Sequence, residues 1–105
     1  MNGSERIAAE RLRQISEEGW DIKHDEQHAS GELTLFAALY LLNDYRATEN
    51  LIGPMEMIEG ELLAYWGDLD WLKYKDKLRN LEIAGALIAA EIDRILANNR
   101  VEPDR

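Results

Sequence analysis

The sequence predicts an all-α protein, a compact bundle of about four helices with the C-terminal helix at its centre. Apolar residues recur at three- and four-residue spacing in its longer stretches, and polar or glycine-containing segments separate those stretches. No convincing strand pattern, internal repeat or low-complexity tract accompanies them.

The first helix is expected over residues 4–18, with Ser4 as N-cap and Gly19 just past the end. Ile7, Ala8, Leu12 and Ile15 form its apolar stripe, which leaves Glu5, Arg6, Glu10, Arg13 and Glu17 to solvent. Trp20 and Ile22 then pin the connection to the core. The second helix is expected from about Asp25, as cap or first residue, to Asp44, with Ala29, Leu33, Phe36, Ala37, Tyr40 and Leu41 inward. Gly31 sits inside this span, where glycine costs a helix about 1 kcal/mol relative to alanine. It marks either the close approach of another backbone or ligand, or a break between a short helix and a longer one.

Residues 49–70 are punctuated by Gly53, Pro54, Gly60 and Gly67, and every charged residue from 51 to 70 is acidic. A short helix over 54–65 with Pro54 in its first turn fits this stretch. Lys73, Lys75, Lys77 and Arg79 then reverse the charge. Asp76 is placed to cap a last helix running to about Asn98, ahead of the polar tail 98–105. In that helix Leu81, Ala84, Ile88, Ile92 and Ile95 form one stripe, and Ile83, Leu87, Ala90 and Leu96 broaden it, so it must be covered on two sides. Ala84, Gly85, Ala86, Ala89 and Ala90 keep its waist thin. The apolar surface exceeds what three other helices supply, so a homo-oligomer, most simply a two-fold dimer, is expected.

With 105 residues the chain is read as one domain. Its formal charge of −9 argues against a duplex nucleic-acid surface, which needs clustered lysine and arginine to displace counterions. The absence of cysteine excludes disulfides and thiolate metal sites. No signal peptide is legible, and the longest apolar stretch, 33–42 with Thr34 inside it, is too short for a bilayer, which takes roughly 20 residues. A cytoplasmic protein without a membrane partner is the resulting expectation.

Both histidines lie in the stretch HDEQHASGEL, where His24, Asp25, His28 and Glu32 recur on one helical face. The two histidines have the spacing of the zinc-protease HExxH motif, but aspartate stands where that motif carries its general base, and a third ligand would have to come from elsewhere. No metal site is therefore expected. The cluster reads either as a polar helix start or as part of a pocket for a polar or phosphorylated small molecule. The alternating Lys73, Lys75, Lys77 and Arg79 would point one way from an extended segment and, ahead of a helix N-terminus, could hold phosphate. The plainer reading is a solvated turn. Trp66, Trp71 and Tyr74 beside the basic run serve either as core anchors or as a stacking surface. Glu91 lies among apolar neighbours and needs a cation or a partner.

The segments ERLRQISEEGWDIKHDEQHASGEL, WGDLDWLK and RNLEIAGALIAAEIDRI together resemble a family of small proteins of tailed phages and prophages. That family carries RQxxxEGW, HDxxHxxGEL, WWKP and AGALIxAEIxR elements in this order. Gln14, Gly19, Trp20, His24, Asp25, His28, Gly31, Glu32, Trp71, Lys73, Arg79, Asn80, Gly85, Ala86, Glu91 and Arg94 match the pattern. Leu72 and Tyr74 depart from it, standing where tryptophan and proline are usual. A more distant likeness is to all-α MazG-type nucleoside triphosphate pyrophosphohydrolases, whose ExxE spacing is matched by Glu56 and Glu59, with no clear ExxD after them.

The resemblance implies a phage setting. The leading expectation is a phage-encoded protein that binds a nucleotide or nucleotide-derived signal and so counters a host defence. In that reading His24, Asp25, His28 and Glu32 contact ribose or base, Lys73 and Arg79 hold phosphate, and Trp71 stacks; no catalytic residue or cofactor is required. An alternative is a magnesium-dependent pyrophosphohydrolase using Asp25, Glu32 and Glu91, and a third is an acidic interaction protein that blocks a nucleic-acid-binding host enzyme.

Overall fold

In the computed structural model, the described residues are 1–27, 31–48, 50–66, 69–70 and 72–98, with the side chains of Ile22, Tyr65 and Trp66 excepted. Among the described residues five α-helices follow one another: α1 (Gly3–Glu18), α2 (Ile22–Asp25), α3 (Glu32–Leu42), α4 (Ile52–Trp66) and α5 (Lys77–Asn98), with a 3-10 turn at Asn43–Tyr45 after α3. No strand occurs among the described residues. α5 packs against α1, α2 and α3, and α3 also carries α4, so α3 and α5 form the centre of the bundle.

The helix ends follow local chemistry. Asn2, rather than Ser4, caps α1: its Oδ1 accepts from the Glu5 amide at 3.0 Å, while Glu5 Oε1 accepts from the Asn2 amide at 2.8 Å, a reciprocal capping box. Gly19 ends α1 at φ 74°, a left-handed conformation that glycine adopts without Cβ strain. The helix expected from Asp25 to Asp44 is two helices, since Gly31 takes φ 94° immediately before Glu32 and an α-helix cannot run through that conformation. Asp25 is thus the last residue of α2, and Asp21 holds its start by accepting the His24 amide at 2.9 Å. Asp76 caps α5 as expected, its Oδ1 accepting the Arg79 amide at 2.9 Å.

The core is built from α3, α4 and α5. Leu33, Phe36, Ala37, Leu39 and Tyr40 of α3, Met55 and Leu62 of α4, and Ile83, Ala84, Leu87 and Ala90 of α5 pack into one buried cluster. Leu39 is inside where Leu41 was expected, and Ala29 lies outside the described residues. Of the two apolar stripes on α5, the one through Ile83, Leu87 and Ala90 is buried, and the other contributes only Ala84 to the core. Leu81, Ile88, Ile92, Ile95 and Leu96 face outward.

α1 reverses its expected orientation. Leu12 is 67% exposed and Ala8 and Ile15 are also outward, whereas Glu10, Arg11 and Gln14 are buried. Positions 7, 10, 11 and 14 also lie on one helical face. α5 selects that face because it opposes α1 with charged groups on Arg79, Glu82 and Asp93 and with the bare backbone of Gly85.

A Cβ on Gly85 would stand 2.7 Å from Ile7 Cδ1 and 2.8 Å from its Cγ1, too close for a stiff, β-branched neighbour. Gly85→Leu is therefore expected to lose about 1 to 3 kcal/mol by overpacking. In an Ile7→Ala background the clash is gone, and Gly85→Ala should instead gain up to about 1 kcal/mol of helix propensity. Chemical denaturation of the parent, Gly85→Leu, Gly85→Ala, Ile7→Ala and the Ile7→Ala/Gly85→Ala double variant checks this, and an unchanged sign for Gly85→Ala in the two backgrounds would refute the contact.

Candidate functional site

Two groups of polar side chains stand out, and sequence reasoning had merged them. The first joins α1 to the start of α5 in an alternating ladder, Arg6–Glu82–Arg79–Glu10–Arg13–Glu18. Glu10, only 2% exposed, is its centre. Arg13 grips both of its oxygens, from Nε at 2.8 Å and Nη2 at 3.0 Å, Gln14 Nε2 donates to it at 3.0 Å, and Arg79 Nη2 reaches it across the helix interface. Arg13 Nη1 donates to Glu18 at 3.1 Å and Arg79 Nη1 to Glu82 at 2.9 Å. Burial pushes the Glu10 carboxyl up, but the bonds from Arg13, Arg79 and Gln14 together outweigh it and hold it below the ordinary carboxylate value. Glu82 is likewise held down by Arg79 and Arg6.

The ladder forms part of the wall of a cavity of about 450 Å³, which Glu10, Arg13, Gln14, Glu18 and Arg79 share with Trp20, Tyr40, Lys73, Lys75 and Ile83. The segment 72–76 is not helical, so Lys73 and Lys75, two residues apart, can reach the same cavity. Its backbone is fastened at both points: the Lys73 amide donates to Tyr40 Oη at 3.0 Å, and the Lys75 amide to Asn80 Oδ1 at 2.6 Å, while Asn80 Nδ2 donates back to the Lys75 carbonyl at 2.9 Å. The ammonium groups of Lys73 and Lys75 make no hydrogen bond or ion pair among the described residues. Lys77 leaves this set because α5 begins at it; its Nζ turns to Tyr45, 2.9 Å from the hydroxyl.

Tyr40 is 4% exposed, and burial, its largest influence, raises its pKa, so it stays protonated and keeps an O–H to donate. Gln14 is fully buried, and its Oε1 has no hydrogen-bond partner among the described residues.

The second group gathers the HDxxHxxGEL residues elsewhere. Asp25 is fully buried, 3.5 Å from Arg11 Nη2, with His24 Nδ1 3.0 Å from its other oxygen. Arg11 also donates to the Trp20 carbonyl at 2.8 Å and pairs with Asp93 at 3.5 Å. Glu32 is buried at the start of α3. Arg94, bonded to Glu91 at 2.6 Å, feels the charges of Glu91 first and then of Glu32 and Asp25, all of which raise its pKa. The cation that Glu91 needed thus comes from the next turn of its own helix.

Of the expected site residues, Lys73 and Arg79 line the cavity together. Asp25 and Glu32 belong to the arginine network behind it, His24 bridges the two groups by stacking on the Trp20 ring at 6.1 Å, and His28 and Trp71 lie outside the described residues. Glu10, Arg13, Gln14, Glu18, Trp20, Tyr40 and Lys75 complete the lining. The sequence signal for the α1 contribution is the i, i+3, i+4 set Glu10, Arg13 and Gln14, which reads as a solvated face until α5 is placed against it. No group of three or more histidine, aspartate or glutamate side chains is arranged to hold a metal among the described residues. Glu59, one of the ExxE pair, is instead clasped by Arg46 at 2.8 and 3.1 Å and by the Tyr74 hydroxyl at 2.7 Å.

No family model, curated protein or solved structure matches this chain.

Proposed function

We propose that this protein is a helical binding protein for a phosphorylated, nucleotide-like small molecule, held in the cavity between α1, α3 and the start of α5. The observation that carries this reading is the pair of uncommitted ammonium groups on Lys73 and Lys75 at a cavity walled by Trp20 and Tyr40, in a chain of net charge −9. A phosphate meets the lysines, a planar ring meets the aromatic wall, and the Tyr40 O–H supplies a directed hydrogen bond. Arg79 holds the cavity's shape through Glu10 and Glu82, and His24 steadies Trp20. The resemblance to the phage family extends the proposal to sequestration of a nucleotide signal of the host's defence, in the host cytoplasm.

The six outward apolar residues of α5, Leu78, Leu81, Ile88, Ile92, Ile95 and Leu96, support self-association as a two-fold dimer. Light scattering at high micromolar concentration tests it, and a monomeric mass there would refute it.

Isothermal titration of a nucleoside monophosphate tests the binding reading. Lys73→Ala is expected to weaken binding by about 1 to 3 kcal/mol, the range for losing a charge-assisted hydrogen bond, and to lower its salt dependence. The melting temperature should hardly change, because the Lys73 side chain is exposed. Parental affinity in both Lys73→Ala and Lys75→Ala would overturn the proposal.

A further inference from the structure

We infer that the cavity is matched to a ligand bearing two negative charges, a phosphomonoester on a planar ring, and that it discriminates against the corresponding triphosphate. The inference rests on the binding reading above and adds the class of ligand.

The charge balance of the site leads to this. Arg6, Arg13 and Arg79 alternate with Glu10, Glu18 and Glu82, three guanidinium groups against three carboxylates in one continuous chain of ion pairs. Every donor edge that Arg13 and Arg79 turn on this ladder is already given to a carboxylate. A ligand that took those edges would have to displace Glu10, which is buried and could not recover the lost bonds from water. The ladder therefore contributes shape and almost no net charge. Among the described lining residues the excess is carried by Lys73 and Lys75, two positive charges on one short non-helical segment.

A phosphomonoester carries about −1.5 to −2 at neutral pH and matches that excess. A nucleoside triphosphate carries more negative charge than two ammonium groups neutralise, and the surplus would find no counter-charge left in a partly enclosed cavity, where an unpaired charge is less well solvated than in water. Size agrees with charge. About 450 Å³ lies toward the small end of ligand pockets and suits one ring system with one phosphate.

The test is a titration series at fixed ionic strength and without divalent cations, using adenosine, its mono-, di- and triphosphate, and inorganic phosphate. The monophosphate should bind about tenfold or more tightly than the triphosphate, and more tightly than adenosine or phosphate alone. Glu18→Gln removes one carboxylate at the exposed end of the ladder and raises the excess to three, so it should narrow the gap between mono- and triphosphate severalfold. A triphosphate that binds as well as or better than the monophosphate, or a gap untouched in correctly folded Glu18→Gln, overturns the charge-matching inference and leaves the binding reading standing. If no phosphorylated form binds better than adenosine, both fall.

Discussion

Asp25→Ala should destabilise the protein by about 3 kcal/mol or more, the cost of deleting one partner of a buried ion pair. Asp25 is fully buried, and Arg11, itself only 8% exposed, would lose its most deeply buried anion while its Nε already lacks a partner. Asp93 and the Trp20 carbonyl remain to Arg11, which keeps the loss near the lower end of the range. Urea unfolding of the variant measures it. The same variant separates two roles for the HDxxHxxGEL element. A residue that frames the site destabilises the fold when removed, whereas a residue that touches ligand weakens binding with stability intact. Near-parental stability would show that Arg11 is satisfied without Asp25.

Glu10→Gln is the second large effect, an expected loss of about 2 to 3 kcal/mol at neutral pH, because glutamine keeps the shape but leaves Arg13 and Arg79 without their shared anion. Its pH dependence gives a sharper check. The folded Glu10 carboxyl is held below its ordinary 4.5, so the unfolded chain takes up this proton at a higher pH than the folded one. The stabilisation is thus complete above about pH 4.5 and is lost as pH falls through the lower, folded value. In Glu10→Gln the acid limb of the stability curve should flatten in that window. It should not vanish, since Glu59 and Glu82 are also held below their ordinary value by Arg46 and Arg79 respectively. Denaturant midpoints between pH 3 and pH 7 measure the difference, and an unchanged acid slope would refute the role given to Glu10.

Both effects act on buried charged groups of α1, Arg11 in the first and Glu10 in the second, and α1 is the helix whose inner face was least legible in the sequence. Leu12 and Ile15 were apolar at helical spacing, so transfer free energy favoured burying them, and nothing local opposed it. They are exposed because α5 presents α1 with arginine, carboxylates and a glycine, and a guanidinium–carboxylate ladder satisfies those groups where leucine would strand them. The cavity was half legible for the same reason. Lys73, Lys75 and Arg79 were visible as a basic run, but their counter-charges and the aromatic wall arrive from α1, α3 and the 19–21 connection. Alternation along 73–79 was read as one strip, yet the start of α5 at Lys77 changes the angular step between residues and sends Lys77 to Tyr45.

By itself the sequence determined the all-helical class, the left-handed glycine that ends α1, and the Asp76 cap and extent of α5, while at Gly31 it left a break as one of two readings. These depend on φ/ψ preferences and hydrogen bonds within a few residues. Only the tertiary structure decided which face of α1 and which stripe of α5 are buried, and which charged groups meet at the cavity. A helix of mixed character offers more than one face at the same spacing, and the choice between them is made by what the neighbouring helix presents.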